Sequence, residues 1–298
     1  MVQTIPGEIA VTHFADRLNN LIRERGTPLC LGLDPRWESL PVALRSKFDD
    51  SPDGRAAAYL SFCSRVLDLV GLRVPVVKPQ AAFFEACGPA GFAAMRSLIA
   101  QAKQMGVITI LDGKRNDIAS TATAYAESAF DLWGADSLTV NPYLGRDAVE
   151  PFVMAARAKS GGVFVLVRTS NPGAGLFQDL RCDGQPLYRH VGDRVAEWTR
   201  ANLGSQGWGD VGAVVGATYP DELAQLREAL PEVIFLVPGF GAQGGTAADV
   251  RAAFRSDGLG AVINSSRGIL FPFMPNAADW ETRIVKATED TIGVLAFG

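Results

Sequence analysis

The sequence predicts a (β/α)8 barrel in one domain, and three observations support this fold class. Eight short apolar runs rich in β-branched residues recur along the 298-residue chain, stretches of helical period separate them, and the two patterns alternate. The predicted strands are residues 28–33, 74–78, 107–111, 137–140, 163–167, 211–215, 233–237 and 261–263. The predicted helices are residues 57–70, 90–103, 120–133, 146–159, 187–203, 221–229 and 247–254.

Glycine and proline cluster after the predicted strands and not in one linker, so we expect one domain over residues 1–298 with an N-terminal helix. The longest irregular stretch runs from Thr169 to Pro186. Loops of this length inside a compact domain are commonly lids or binding loops. We expect this loop to lie over the active face of the barrel.

Composition excludes several function classes. A net charge of −4 gives no excess of basic residues for binding nucleic acid or an anionic membrane surface. The chain also has no run of eighteen apolar residues, the length that a membrane-spanning helix needs. Residues 1–7 lack the basic and apolar segments of a signal peptide. The four cysteines lack C-x-x-C spacing and suit a reducing compartment. We therefore expect a cytoplasmic protein without nucleic-acid or membrane partners.

The chain has two histidines, His13 and His190, which we interpret as structural or surface residues. A histidine metal site or a Ser-His-Asp triad needs more than these two side chains. The sequence therefore predicts chemistry by lysine and aspartate, with no metal and no cofactor.

The end of the third predicted strand carries two carboxylates and a lysine. Asp112 and Lys114 lie two residues apart, so in an extended chain their side chains point the same way, with backbones roughly 6–7 Å apart. Asp117 follows where a new helical pattern begins. Such a cluster can hold a cation against a changing charge, which predicts an enzyme. The alternative is a solvated turn with a surface ion pair and an Asp N-cap.

Polar or small residues end most of the other apolar strands, and this end of a (β/α)8 barrel carries its chemistry. In chain order they are Asp34, Lys78, Asn141, Thr169, Ser170, Gly216, Pro238, Gly239 and residues 264–268. One such residue is ordinary, whereas a ring of them favours an active site over a solvated turn.

The loop after the seventh strand contains G-x-G-x-x-G at Gly239, Gly241 and Gly244. A dinucleotide site is disfavoured, because the next strand ends in Asn264 where a ribose-binding acid should stand. Loops after strands seven and eight of such barrels commonly bind a phosphate through backbone amides. Arg267 can fork onto two phosphate oxygens, although it can also be a solvated loop residue. Together the loops predict a phosphorylated ligand.

The motif Asp-x-Lys-x-x-Asp-Ile-x-x-Thr at residues 112–121 resembles the signature of the orotidine 5′-phosphate decarboxylases. The spelling Leu-Asp-Gly-Lys-Arg-Asn-Asp-Ile and the chain length are similar to the longer bacterial branch. Matches at residues 32–35, 77–80, 238–245 and 265–268 extend the resemblance over nearly the whole chain. It implies conversion of orotidine 5′-monophosphate to UMP and CO₂ in de novo pyrimidine biosynthesis, without a metal or organic cofactor.

The resemblance also implies roles for single residues. Lys114 would deliver a proton to C6 as CO₂ leaves, and Asp112 would lie beside the departing carboxylate. Lys78 would order the charge array and the ribose. Asp34 matches the family's ribose-binding aspartate, and Ser170 is expected to contact the amide edge of the pyrimidine.

Further matches concern the phosphate and a second subunit. Asp117, Ile118 and Thr121 match residues that family members donate into the neighbour's site, which implies a homodimer with shared active sites. Gln243 and Arg267 match phosphate ligands, with Gln243 also near the base. The remaining substrate-binding candidates are Pro238, Gly244 and Gly268.

Two other functions stay open on the sequence alone. One is a Mg²⁺-dependent sugar-phosphate lyase of the same barrel superfamily, with a Schiff-base aldolase acting through Lys78 or Lys114 as its variant. The other is a non-catalytic phosphate-binding barrel that acts as a sensor. The intact Asp/Lys/Asp pattern favours the decarboxylase over both.

Overall fold

The computed structural model describes residues 12–241 and 245–296. In it eight parallel strands close into a barrel, which confirms the predicted fold class. The strands are β1 (Leu29–Leu33), β2 (Val76–Pro79), β3 (Ile108–Arg115), β4 (Ser137–Val140), β5 (Gly162–Arg168), β6 (Val211–Val215), β7 (Phe235–Val237) and β8 (Ala261–Ser265). Each strand pairs with the next one in the chain, and β8 pairs with β1.

Most helices follow strands around the outside of the barrel, whereas the first helix precedes β1 and covers the N-terminal end. They are α1 (Phe14–Arg25), α2 (Val42–Arg45), α3 (Pro52–Val70), α4 (Ala81–Glu85), α5 (Gly88–Gln104), α6 (Ala119–Glu127), α7 (Arg146–Ala158), α8 (Gly175–Gln178), α9 (Leu187–Arg200), α10 (Pro220–Ala229), α11 (Ala247–Arg251), α12 (Arg267–Leu270) and α13 (Trp280–Leu295). Within the described ranges, no helix is long and apolar enough to cross a bilayer.

The structure differs from the sequence prediction in several segments. The predicted helix at residues 120–133 is α6 followed by a π-helical turn, Ser128–Leu132. The long α13 was not predicted, although it buries Trp280 and Ile284. The predicted loop at residues 169–186 contains α8 and a two-stranded hairpin that pairs Arg181 with Pro186.

The barrel wall alternates between an outer and an inner core, because side chains along a strand point to opposite faces. Leu31 of β1 packs outward against the helices, whereas the neighbouring Cys30 belongs to the inner core. The inner core fills the N-terminal end of the barrel, where the ring of Phe14 from α1 lies edge-on to Phe164 at 6.3 Å. Because apolar side chains fill the N-terminal end of the barrel, a ligand can enter only at the C-terminal end.

The tight interior predicts that Gly212→Ala lowers the free energy of unfolding by about 1–3 kcal/mol. A Cβ at Gly212 would lie 2.5 Å from the Phe164 ring and 2.6 Å from the carbonyl oxygen of Ile234. Denaturant unfolding measures the change. The matched control is Gly293→Ala in α13, where nothing lies within 4 Å and where we expect equal or greater stability, because alanine favours a helix. A Gly212→Ala protein as stable as that control would contradict the packing described.

Candidate active site

A cavity of about 500 Å³ opens at the C-terminal end of the barrel. Of the sequence-predicted residues, its lining brings together Asp34, Lys78, Asp112, Lys114, Ser170 and Pro238. Its other polar lining residues are Gln80, Thr139, Thr169, Asn171, Gln178 and Asn264, and its apolar ones are Leu166, Val214 and Leu236. The site thus combines strand residues at its floor with the loop after β5 at its side.

The floor follows from the alternation along each strand. Val76 and Ile110 belong to the inner core, and two residues further along the same face stand Lys78 and Asp112. The same step leads from Val262 of the inner core to Asn264. An apolar layer therefore supports a polar layer, and the polar layer faces the cavity.

The carboxylate of Asp112 is the centre of the site, because it accepts hydrogen bonds from four side chains. Its Oδ2 atom accepts from Lys78 Nζ at 2.8 Å and from Gln80 Nε2 at 3.0 Å. Its Oδ1 atom accepts from Lys114 Nζ at 2.7 Å and from Thr139 Oγ1 at 2.9 Å. The Lys78 side chain is 5% exposed and that of Lys114 is 48% exposed. Lys78 is thus an internal anchor, and Lys114 is the ammonium that a ligand can reach.

A local irregularity of β3 brings Lys114 to this carboxylate. Leu111 pairs with Leu138 and Arg115 with Val140, so β3 carries two more residues than β4 over this interval. Lys114 has a φ of +45°, a left-handed conformation that non-glycine residues rarely adopt. Its backbone N–H donates to Thr139 Oγ1 at 2.9 Å. The expectation of a simple extended chain was therefore wrong, although the two side chains do meet.

The buried charges stabilise one another. Burial alone would raise the pKa of the Asp112 carboxyl, but Lys78 and Lys114 hold that pKa well below its usual value. Burial would lower the pKa of the Lys78 ammonium, but Asp112 and Asp34 raise it above its usual value. Burial raises the pKa of the Cys30 thiol beneath them to about 12. Asp112 is therefore an anion and Lys78 a cation at neutral pH.

Asp34 adds a free acceptor to this array. It follows β1 and lines the cavity. Its Oδ1 atom is buried and has no hydrogen-bond partner among the described residues. A buried acceptor without a partner is costly, so this atom suits a hydroxyl group of a bound ligand.

The loop after β5 contributes Ser170, which packs against Gly216 directly after β6. A Cβ at Gly216 would lie 2.9 Å from Ser170 Cβ and 3.0 Å from its backbone nitrogen. The absence of a side chain at Gly216 therefore sets how closely Ser170 approaches the barrel, which explains the glycine that the sequence showed at this strand end.

Comparison with known proteins identifies the family. A family model described as "Orotidine 5'-phosphate decarboxylase / HUMPS family" matches residues 27–278 of the chain. The chain belongs to this family. It is 53% identical over 266 residues to an orotidine 5′-phosphate decarboxylase of Rhodopirellula baltica, covering 87% of this chain and 88% of that protein.

Solved structures give the same result. The structure of Leishmania donovani OMP decarboxylase is similar with a TM-score of 0.74 and 36% identity, covering 94% of this chain and 99% of that one. Leishmania donovani UMP synthase is similar with a TM-score of 0.77 and 38% identity. That match covers 96% of this chain but 57% of the longer synthase.

Several predicted site residues lie outside the cavity of their own chain. Asp117 is half-buried, and its carboxylate accepts a hydrogen bond from the backbone N–H of Ile118 at 2.8 Å. Ile118 and Thr121 are exposed. Within the described chain, Asp117 is therefore not among the residues that line the cavity, and its place in the Asp/Lys/Asp array stays a prediction.

The predicted phosphate residues are described in part. Arg267 and Gly268 are exposed and begin α12, directly after β8. Gln243 and Gly244 lie outside the described residues. These assignments stay predictions.

Both histidines have structural contacts. His13 caps α1 by accepting a hydrogen bond from the backbone N–H of Ala15 at 3.2 Å. His190 Nε2 lies 2.8 Å from the carbonyl oxygen of Cys182. Across residues 12–241 and 245–296, no group of three or more His, Cys, Asp and Glu side chains is arranged to hold a metal ion.

The central carboxylate predicts that Asp112→Asn destabilises the fold by about 3–5 kcal/mol at neutral pH, because it leaves the buried ammonium of Lys78 without its main counter-ion. The control is Asp290→Asn, which removes the partner of Lys286 in an exposed pair and should leave stability almost unchanged. Denaturant unfolding compares the two variants. Equal stability of the two proteins would contradict the role of Asp112.

The same variant should change how stability depends on pH. In the wild type, the raised pKa of Lys78 stabilises the fold below about pH 10, and this contribution is lost as pH rises through the folded-state pKa. Without Asp112, burial lowers that pKa, so the folded state binds fewer protons than the unfolded chain. The free energy of unfolding of the variant should therefore rise, relative to wild type, between about pH 8 and 10.

Proposed function

We propose that this protein decarboxylates orotidine 5′-monophosphate to UMP and CO₂ in de novo pyrimidine biosynthesis. The observation that carries the proposal is the array of Lys78, Asp112 and Lys114 at the floor of the barrel cavity. It stands in a chain that is 53% identical to a protein named for this reaction.

The array suits the chemistry of the reaction. When the bond between C6 and the carboxylate breaks, its electron pair stays on C6, and no ring system absorbs that charge. The ammonium of Lys114 stabilises the developing carbanion and donates a proton to C6, so that Lys114 becomes a neutral amine. A fixed charge in a site that excludes water needs no reorganisation as the reaction proceeds.

Asp112 has two effects in this proposal. It fixes the Lys114 ammonium by the hydrogen bond of 2.7 Å, and it faces the carboxylate of the substrate. At 4 Å and an effective dielectric constant near 20, two like charges repel by about 4 kcal/mol. Loss of CO₂ relieves this repulsion, while contacts to the distant phosphate supply the binding energy that offsets it.

The remaining cavity residues bind and orient the nucleotide in this proposal. The unbonded Oδ1 of Asp34 accepts a hydrogen bond from a ribose hydroxyl. Ser170 contacts the amide edge of the pyrimidine, and Pro238 lies against the base. Gln243 and Arg267 bind the phosphate, and Gly244 and Gly268 are further substrate-binding residues.

The donor set favours this reaction over a Mg²⁺-dependent lyase. Both oxygens of Asp112 already accept from two ammonium groups, an amide and a hydroxyl. A Mg²⁺ ion prefers carboxylate oxygens and water and would have to displace the lysines. We therefore propose that the reaction uses no metal and no organic cofactor.

We also propose a homodimer in which each subunit completes the site of the other. Asp117, Ile118 and Thr121 lie outside their own cavity, and the apolar side chain of Ile118 is 54% exposed. In the dimer, Asp117 joins the lysine array of the partner subunit and Ile118 is covered. A cytoplasmic location is part of the proposal, in keeping with four cysteines that are all unpaired.

The function is tested by mixing the protein with orotidine 5′-monophosphate and EDTA and following pyrimidine absorbance and CO₂ release. We expect turnover with EDTA present. Lys114→Ala should lower kcat by roughly 10³-fold or more, while UMP still binds with similar affinity. The control is Lys103→Ala, an exposed lysine of α5, which should keep full activity. Lys114→Ala protein that releases CO₂ at the control's rate would rule out the proton-donor role.

The shared site is tested by mixing Asp117→Ala protein with Lys114→Ala protein under conditions of subunit exchange. A heterodimer then contains one site with both native residues, so a random mixture should regain about a quarter of wild-type activity. The control mixes Lys114→Ala with Asp112→Asn. These residues act in the same chain, so no site is restored. Equal activity of the two mixtures, with exchange proven by differently tagged subunits, would exclude a shared site.

A further inference from the structure

A fully buried arginine stands at the end of β5, next to the cavity but outside its lining. Arg168 is 1% exposed. Its guanidinium carbon lies 4.1 Å from the ring centre of Tyr219 and 5.2 Å from that of Tyr188. The mechanism above does not use this residue. A buried charge of this kind persists only with charged or hydrogen-bonding partners.

Its two carboxylate partners belong to different segments. Glu222 in the first turn of α10 accepts from Arg168 Nε at 2.5 Å and from Nη2 at 3.3 Å. Asp179, in the loop after β5, forms an ion pair with Nη1 at 2.9 Å. The Asp179 side chain is 53% exposed and that of Glu222 is 27% exposed. Arg168 Nη1 also donates a hydrogen bond to Gln178 Oε1 at 3.4 Å. Glu222 therefore fixes Arg168 to the barrel, while Asp179 and Gln178 link it to the loop.

Gln178, next to Asp179 in the chain, forms hydrogen bonds with residues that line the cavity. Its Oε1 accepts from the backbone N–H of Thr169 at 3.0 Å, and its Nε2 donates to Thr169 Oγ1 at 2.8 Å. Thr169 Oγ1 in turn donates to Asn171 Oδ1 at 2.7 Å. Thr169, Ser170, Asn171 and Gln178 all line the cavity. Hydrogen bonds thus join the start of the loop at Thr169 to Gln178, next to Arg168.

We propose that Arg168 is a positioning residue, which holds the loop after β5 through Asp179 so that Ser170 and Asn171 meet the pyrimidine end of the substrate. This inference rests on the proposed function, because it takes the nucleotide as the ligand. When the loop leaves the cavity, Arg168 keeps its bidentate pair with Glu222 and stays neutralised. Asp179 is the releasable partner, since water can solvate its exposed carboxylate.

The test uses Asp179→Asn, because replacing the buried Arg168 risks misfolding. The matched control is Asp183→Asn in the same loop. Asp183 is exposed at the hairpin turn, and no hydrogen bond or ion pair joins it to Arg168 within the described structure. Two quantities are measured for both proteins: kcat and KM for orotidine 5′-monophosphate, and hydrogen exchange of the backbone amides of residues 169–180 with and without UMP.

We expect Asp179→Asn to lower kcat/KM by about tenfold or more against the control, because small displacements of positioned groups are costly in rate. Exchange in residues 169–180 should speed up about tenfold, while exchange in α10 stays unchanged and saturating UMP restores protection. A kcat/KM within twofold of the control overturns the inference, as does a loss of activity without faster exchange. Exchange needs no turnover, so an inactive wild-type enzyme counts against the proposed function separately.

Discussion

The structure of the site depends on one buried carboxylate held between two ammonium groups. Asp112 of β3 accepts hydrogen bonds from Lys78 of β2 and Thr139 of β4, so a single side chain joins three neighbouring strands. Lys78, Asp112 and Lys114 together carry one net positive charge, and the carboxylate of Asp34 lines the same cavity. A protein with an overall charge of −4 thereby places two ammonium groups in one cavity without a basic surface.

The barrel supplies this arrangement through backbone geometry. Strand alternation turns Lys78 and Asp112 inward above an apolar layer, and the irregularity in β3 turns Lys114 toward the same carboxylate. The left-handed conformation of Lys114 is unfavourable by itself. The hydrogen bonds of its backbone to Thr139 and of its ammonium to Asp112 offset that strain. The Lys114 side chain is therefore fixed from both ends, and a charge held in this way is preorganised to stabilise an opposite charge on a ligand.

Hydrophobic periodicity predicted the barrel, and strand ends predicted Asp34, Lys78, Asp112 and Lys114, because both signals are local in the chain. Thr139 was missed because it reads as an ordinary residue of a buried strand, and its contact with Asp112 spans 27 residues. The residue two positions earlier on the same face is Ser137, which is also polar, so β4 lacks the apolar step that marks Lys78 and Asp112. Asp117 follows Lys114 by three residues in the sequence, yet it does not line the cavity of its own chain. No local pattern predicts contacts with a second subunit.

The groups proposed to carry out the reaction and the groups proposed to recognise the base lie in different parts of the structure. Lys78 and Asp112 sit on neighbouring strands of the barrel, and Lys114, in the irregular part of β3, is held by its hydrogen bonds to Thr139 and Asp112. The groups proposed to recognise the base lie on the loop after β5, which is attached by Thr169, Gln178 and Asp179. A loop has to open for a nucleotide to enter and leave, whereas the array does not. In the proposed arrangement Arg168 keeps its pair with Glu222 when Asp179 leaves it, so the loop can move without leaving a buried guanidinium unpaired.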